Sequence, residues 1–141
     1  MSTSGALHAS CVAWEDRAAV ITGAAGTGKS GLALNLMSLG CTLVADDRVG
    51  LSNQHGVLIA QSHPNIAGLI EARGIGILQA TMRPEAQVVL FVDMDQLEAN
   101  RLPQSRIFTY LGCDLPLICR IDAPHFAPAI LQILKSGWSD R

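Results

Sequence analysis

ITGAAGTGKSGLALNLMSLG, the segment from Ile21 to Gly40, places five glycines between an apolar, strand-like start and a leucine-rich, helix-like end. Within it, the residues from Gly23 to Ser30 match G-x-x-x-x-G-K-[S/T], the pattern of a phosphate-binding loop between a strand and a helix. The alternative interpretation is a glycine-rich turn with an incidental lysine. Because both flanks agree with the pattern, we expect this segment to bind the phosphates of a nucleoside triphosphate.

Glycine suits such a loop because it adopts backbone angles that other residues avoid, so that successive N–H groups can point at one anion. The N-terminus of the following helix adds partial positive charge at the same place. Lys29 would reach the β- and γ-phosphates, and the hydroxyl of Ser30 would bind Mg²⁺. The predicted nucleotide-binding residues are Gly23, Ala24, Ala25, Gly26, Thr27, Gly28, Lys29 and Ser30.

Two carboxylates, Asp46 and Asp47, follow the next predicted strand, CTLVA. Because α/β proteins usually place ligand-facing groups at strand ends, one of them is a candidate proton acceptor beside a metal-binding neighbour. Adjacent residues of an extended strand point to opposite faces, so both can face the loop only if the strand has already turned. The alternative is an Asx turn in which Arg48 pairs with one carboxylate.

Short apolar runs separated by turns continue along the chain. Strands are predicted at residues 10–14, 18–22, 41–45, 75–78, 87–94 and 116–121. Helices are predicted at residues 32–39, 63–74 and 128–136, with glycines at their ends. This pattern predicts an α/β fold with a central, mostly buried sheet and about three helices.

The composition limits the possible classes of protein. We expect one domain over residues 1–141, because no linker or repeat interrupts them. Hydrophobic residues make up 49% and charged residues 16%, which excludes a disordered chain. A net charge of −2 without a basic patch argues against a nucleic-acid binder. There is no signal-peptide pattern, and the longest apolar run, VVLF, is too short to cross a membrane.

The four cysteines show neither C-x-x-C spacing nor a zinc-like pattern with histidine; they are Cys11, Cys41, Cys113 and Cys119. Buried free thiols in a reducing cytoplasm are the expected interpretation. We therefore expect a cytoplasmic protein without disulfide bonds.

Further charged residues are ambiguous when taken alone. Glu71 and Arg73 read as the end of a helix with a solvated ion pair. The acidic end of VVLFVDMDQ, from Val88 to Gln96, reads as a buried strand entering a polar turn. His55 and His63, like the histidine at position 125, have no ligand spacing.

Four stretches together resemble the catalytic domain of HPr kinase/phosphorylase, the bacterial enzyme that phosphorylates a serine of the phosphocarrier protein HPr. They are LHASCV, GAAGTGKS, LVADDRV and IEARGIGIL, the last being similar to the family's E-I-R-G-L-G-I signature. The resemblance runs from about Leu7 to the last predicted helix. It implies a single P-loop-containing kinase domain, as in a short form without the family's amino-terminal domain.

Catalytic roles follow from the resemblance at the matching positions. It implies that Asp46 accepts the proton of the substrate serine and returns it in the reverse direction, with Asp47 assisting. It places Arg73 as a supporting residue of the site and His8 near the transferred phosphate. Glu71 would help Ser30 to hold Mg²⁺.

The resemblance also implies cofactors and partners. These are ATP and Mg²⁺, HPr or a related phosphocarrier of the nitrogen system as substrate, and a homo-oligomer, hexameric in the family. The implied reverse reaction uses inorganic phosphate to dephosphorylate phosphoserine and yields pyrophosphate. The sequence departs from the family at Gly31, where an acidic residue is usual, and it lacks a clear P-G-R-N loop, although Arg120 stands near that place.

Three function classes remain open. The first is an ATP-dependent protein serine kinase, with phosphorylase activity, acting on HPr or a relative. The second is a small-molecule kinase that uses the same loop, although no arginine-rich lid is visible. The third is a module that senses a nucleotide without transferring phosphate, against which the acidic pair argues, because a sensor needs no general base.

Overall fold

The computed structural model describes residues 3–139 of the chain. The eleven strands described are β1 (Ser4–Leu7), β2 (Ala9–Trp14), β3 (Arg17–Thr22), β4 (Thr42–Ala45), β5 (Val49–Gln54), β6 (Val57–Ser62), β7 (Leu69–Ala72), β8 (Gly76–Gln79), β9 (Glu85–Leu97), β10 (Arg106–Tyr110) and β11 (Cys113–Arg120). The α-helices in this range are α1 (Lys29–Ser38) and α2 (Phe126–Ser136), and a 3-10 turn spans Pro64–Ile66.

Nine of these strands form one sheet in the order β1-β5-β6-β9-β3-β2-β4, with β11 also paired to β9 and β10 paired to β11. The 13-residue strand β9 runs antiparallel to β6 but parallel to both β3 and β11. Parallel neighbours end at the same edge of a sheet. The segments that follow β3, β9 and β11 therefore meet at one edge, and the site is built there.

Apolar side chains cover both faces of this sheet. Along β3, Ala19 and Ile21 belong to a core that includes the helices, whereas Ala18 and Val20 belong to a core on the other face. The alternation is what an extended strand buried on two sides requires. The helix-side core also contains Leu32, Ala33, Leu36, Ile130 and Leu134. The sheet is therefore buried on both faces, and the loops at its edge are the segments available to form a site.

The predicted α/β fold with a large central sheet is confirmed, and several elements match closely. Strands β2, β3 and β4, and helix α1, lie where the sequence predicts them. Gly40 follows α1 with a φ of +113°, a conformation that favours glycine. Helix α2 begins at Phe126, two residues before the predicted start at Pro128.

The helix predicted at residues 63–74 is wrong. That segment consists of the 3-10 turn and then strand β7, which pairs with β8 as a separate two-stranded sheet. The left-handed φ of +77° at Gly68 ends any helical path. Alternating burial along β7, with Ile70 and Ala72 inside, is the pattern of a strand. The described residues thus contain two α-helices rather than about three.

A hairpin of β5 and β6 was not predicted. Its two-residue turn, His55 and Gly56, has φ of +57° and +86°, as a type I′ turn requires. All four cysteines are free and buried, as expected. Within the described range, no helix has the length and apolar character needed to cross a membrane.

Candidate active site

The glycine-rich loop connects β3, which ends at Thr22, to the first residue of α1, Lys29. Gly23 and Gly28 have φ of +144° and +97°. A Cβ added at Gly23 would lie 2.8 Å from Oγ1 of Thr27 and 3.0 Å from Cβ of Met94. Only glycine fits that position, so the tight path of the loop depends on it.

Lys29 is buried although it carries a charge, and its ammonium group contacts the loop itself. Nζ donates hydrogen bonds to the carbonyl oxygens of Gly23, at 2.7 Å, and Ala24, at 3.0 Å. A buried cation needs such partners. The sequence therefore places one positive charge inside the curve of the glycine-rich loop.

Asp46 is the centre of the hydrogen-bond network opposite the loop. Its Oδ1 accepts hydrogen bonds from the hydroxyls of Ser10, at 2.6 Å, and Ser30, at 2.9 Å. Its Oδ2 accepts the backbone N–H of Glu71 at 3.3 Å. Among the described residues, the buried polar or charged side chains are those of Ser10, Lys29 and Asp46. All three line one cleft, which makes this cleft the candidate functional site.

Asp47 and His8 form an exposed pair at the mouth of this cleft. Nδ1 of His8 lies 3.3 Å from Oδ1 of Asp47. Asp47 has a φ of +69°, so the chain has already turned after β4, which ends at Ala45. Both aspartates therefore line the cleft, and the alternation that would have separated them does not apply.

The two-stranded sheet of β7 and β8 forms the opposite wall. Glu71, on β7, and Arg73, in the turn after it, are exposed and line the cleft. Their interpretation as a helix end is wrong, because no helix exists there. Ile75 and Ile77 add exposed apolar surface to this wall. The cleft measures about 880 Å³, which is ample for a ligand with several phosphates.

Two residues at the site were missed by the sequence analysis. Ser10 lies within an apolar strand, where a single serine carries no functional signal. Asp95, near the end of β9, accepts the backbone N–H of Ala24 at 2.9 Å. The interpretation of VVLFVDMDQ as a strand entering a turn was incomplete, because parallel pairing of β9 with β3 brings Asp95 to the glycine-rich loop.

The donor set fits Mg²⁺ rather than a metal held by protein alone. Within residues 3–139, no group of three or more His, Cys, Asp or Glu could hold a metal ion. Mg²⁺ usually binds through one or two carboxylates, substrate phosphates and water. The Ser30 hydroxyl and the Glu71 carboxylate, which line one cleft, suit that requirement. The backbone N–H of Glu71 donates a hydrogen bond to Asp46, and Glu71 itself lines the same cleft.

Comparison with known proteins gives a consistent result. An HPr kinase/phosphorylase of Halalkalibacterium halodurans is 33% identical over 115 residues, covering 74% of this chain and 36% of that protein. One from Clostridium botulinum is 44% identical over 62 residues, covering 44% of this chain and 20% of that protein. The chain thus spans 36% or less of the length of these relatives.

A solved structure agrees with the sequence comparison. The chain matches the Hpr(Ser) kinase/phosphatase from Coxiella burnetii with a TM-score of 0.76 and 26% identity, covering 93% of this chain and 88% of that one. The sequence model of the HPr Serine kinase C-terminal domain matches residues 1–110. The chain therefore belongs to the HPr Serine kinase C-terminal domain family.

Proposed function

We propose that the chain is the catalytic domain of a Mg²⁺- and ATP-dependent protein serine kinase acting on HPr or a related phosphocarrier. Its family supports a kinase/phosphorylase at the general level, and two of its relatives carry that name. The observation that carries the proposal is the contact of Asp46 with Ser30, 2.9 Å apart beside the glycine-rich loop. This contact joins a candidate proton acceptor to the phosphate-binding segment.

Each site residue would have a separate role in phosphoryl transfer. The backbone amides of residues 23–30 and the ammonium of Lys29 would surround the β- and γ-phosphates, which require positive groups. A bound Mg²⁺ would neutralise phosphate charge, and Ser30 and Glu71 are the residues that would hold it. Arg73, at the opposite wall, would add a second positive charge. Such positioning and charge neutralisation supply most of the catalysis in this reaction class.

The chemical step transfers one phosphoryl group. The hydroxyl oxygen of the acceptor serine forms a bond to the γ-phosphorus while the bond from that phosphorus to the β-γ bridging oxygen breaks. The serine proton passes to the carboxylate of Asp46, and ADP leaves with the electron pair of the broken bond. Asp47, in contact with His8, would support Asp46 from the mouth of the cleft, and His8 would lie near the transferred phosphate.

We also propose the reverse reaction at the same site. An oxygen of inorganic phosphate forms a bond to the phosphorus of phosphoserine while the bond from that phosphorus to the serine oxygen breaks. The proton lost by the attacking phosphate passes through Asp46 to the serine oxygen, and pyrophosphate is released. The loop can hold pyrophosphate as it holds the end of a nucleotide, because both present neighbouring phosphate groups. A single domain over 1–141, homo-oligomeric assembly and a cytoplasmic location belong to this proposal as well. The four free cysteines support the location.

The experiment is a transfer assay with purified HPr, γ-labelled ATP and Mg²⁺. Wild-type protein is expected to label a serine of HPr, and both Lys29→Ala and Asp46→Asn are expected to abolish labelling. Asp46→Asn should still bind nucleotide. Asp114→Asn is the matched control, because Asp114 is an exposed carboxylate on β11 that bonds to Thr109 outside the cleft.

Other outcomes distinguish the alternatives. Label found in a metabolite but never in HPr would favour a small-molecule kinase. Nucleotide binding without any transfer would favour a sensor. Labelling of HPr by Asp46→Asn at the wild-type rate would remove Asp46 from proton transfer. Phosphorylated HPr incubated with inorganic phosphate should release pyrophosphate if the reverse reaction occurs.

A further inference from the structure

The carbonyl oxygen of Ala24, in the glycine-rich loop, accepts three hydrogen bonds, although a carbonyl oxygen has only two lone pairs. Thr27 donates two of them, one from its hydroxyl at 2.7 Å and one from its backbone N–H at 3.2 Å. The third comes from the ammonium of Lys29 at 3.0 Å. The side chain of Thr27 and the cation of the loop therefore share one acceptor.

The proposed function requires Lys29 to bind the β- and γ-phosphates. In the structure, its ammonium donates instead to the carbonyl oxygens of Gly23 and Ala24. An ammonium has three donors, so contact with two phosphates removes at least one of these bonds to the loop. A carbonyl oxygen that loses its donor beside a phosphate repels that phosphate, because both oxygens carry negative charge. Phosphate binding is therefore weakened unless another donor holds the carbonyl group.

Thr27 is placed to be that donor at Ala24. Both of its bonds to the Ala24 carbonyl are made without Lys29. Room for its hydroxyl exists because residue 23 is glycine, where an added Cβ would lie 2.8 Å from Oγ1 of Thr27. The backbone N–H of Ala24 donates to Oδ1 of Asp95 at 2.9 Å. The peptide groups before and after Ala24 therefore each keep a partner when Lys29 turns to a ligand.

We propose that Thr27 is a positioning residue whose hydroxyl holds the Ala24 carbonyl group in place and so frees the ammonium of Lys29 for the phosphates. The proposal rests on the proposed function, because it assumes that the loop binds phosphate groups. Thr27 acts through Ala24 and Lys29, and this role needs no contact with the acceptor serine. Because the hydroxyl carries the role, serine can replace threonine at this position and valine cannot.

A purely structural role of Thr27 leads to a different result. If the hydroxyl only stabilised the fold, Thr27→Val would lower the free energy of unfolding. The Kd of the folded protein for phosphates would then stay the same, because the ammonium of Lys29 would be equally free to bind them. The affinity for a phosphate ligand, measured where each variant is fully folded, therefore separates the two roles.

The test measures the binding of inorganic tripolyphosphate with Mg²⁺ by titration calorimetry. This ligand has linked phosphates and no nucleoside, so its affinity reports on the phosphate-binding segment. Thr27→Val should raise the Kd about fivefold or more, whereas Thr27→Ser should leave it within about twofold of the wild-type value. Thr109→Val is the matched control, because Thr109 is exposed and its hydroxyl bonds to Asp114 outside the cleft. An unchanged or lower Kd for Thr27→Val, or an equal rise for Thr27→Ser, would overturn the proposal.

Two further variants keep the result interpretable. Thr27→Ala, which also lacks the hydroxyl, replaces Thr27→Val in the comparison if the valine variant does not fold by circular dichroism. Lys29→Ala should weaken tripolyphosphate binding strongly. Tripolyphosphate that fails to bind the wild-type protein, or binds Lys29→Ala equally well, refutes the phosphate-binding loop and with it the proposed function. Tripolyphosphate that depends on Lys29 but binds equally well without the hydroxyl of Thr27 refutes the role of Thr27 alone.

Discussion

The hydroxyl of Ser10 lies 2.6 Å from Oδ1 of Asp46, inside the protein, at a position to which the sequence alone assigns no role. This hydroxyl donates to the same oxygen that accepts from Ser30. Two hydroxyl donors fix the rotation of the carboxylate, and the opposite oxygen keeps a longer bond to the backbone of Glu71. In the proposed reaction, Oδ2 is therefore the atom of Asp46 better placed to receive the proton of the acceptor serine.

Ser10→Ala should lower kcat about tenfold and change the KM for ATP less than about twofold. Losing a buried hydrogen bond to a charged group costs roughly 1.5 to 3 kcal/mol, but Ser30 remains as a second donor. Steady-state kinetics over a range of ATP concentrations measures the two constants separately. Ser52→Ala, outside the cleft, is the control, and an equal loss there would mean that Ser10 acts only through general stability.

Gly23→Ala and Gly31→Ala should change the free energy of unfolding in opposite directions. At Gly23 the added methyl group meets Thr27 and Met94, and the backbone is left-handed, so we expect a loss of roughly 1 to 3 kcal/mol. At Gly31 the methyl group meets open space within a helix, so we expect a gain of roughly 0.5 to 1 kcal/mol. Urea denaturation measures both. A stabilised Gly23→Ala protein would contradict the loop geometry described above.

Asp95→Asn should tighten the binding of tripolyphosphate about threefold or more. The carboxylate of Asp95 holds the N–H of Ala24 and places a negative charge beside the proposed phosphate site. Removing that charge removes repulsion, and the gain should shrink as salt is added. Calorimetry at low and high ionic strength tests this. Weaker binding of tripolyphosphate would mean instead that the hydrogen bond from Ala24 to Asp95 stabilises the loop in its binding conformation. Asp114→Asn is the control.

Alkaline pH should destabilise the fold through its buried cysteines. Burial raises the pKa of the Cys41 thiol from its ordinary value of 9.0 to about 11, and burial raises the pKa of Cys11 further. The unfolded thiol ionises near pH 9, whereas the folded thiol stays protonated up to the higher pKa. The contribution to stability is therefore complete below pH 9 and is lost as the pH rises towards 11.

Cys41→Ala should flatten this pH dependence. Urea denaturation at pH 8, 9 and 10 is expected to show a smaller fall in the free energy of unfolding for the variant than for the wild-type protein. We compare how steeply the free energy of unfolding falls with pH in the two proteins. A loss of stability that the smaller side chain causes equally at every pH does not affect this slope. Identical slopes would show that Cys41 does not contribute.

The elements around the glycine-rich loop were predictable because their signals are local. A strand, a glycine pattern and a leucine-rich helix follow one another between Arg17 and Gly40, and each is recognisable without tertiary contacts. The segment at 63–74 was misread because Pro64 and Gly74 imitate the ends of a helix. The left-handed backbone at Gly68 ends the helical path instead, and pairing with β8 makes residues 69–72 a strand.

The candidate site could be predicted only where the type and position of a residue indicated its chemistry. Asp46 follows a strand near the loop, so its type and position were informative. Ser10 and Asp95 take part through pairing between distant strands, β2 with β4 and β9 with β3. Neither the type of a residue nor its spacing from other residues indicates which strands pair, because the paired strands lie far apart in the chain.

The separation of β7 and β8 from the main sheet bears on how this domain can diversify. Of their eight residues, Ile70 and Ala72 are buried, and every residue of β8 is exposed. Replacements elsewhere in this hairpin need no compensating change in either core. Evolution can therefore revise the exposed positions of this wall, apart from Glu71, while the glycine-rich loop and Asp46, which adjoin the main sheet, stay as they are.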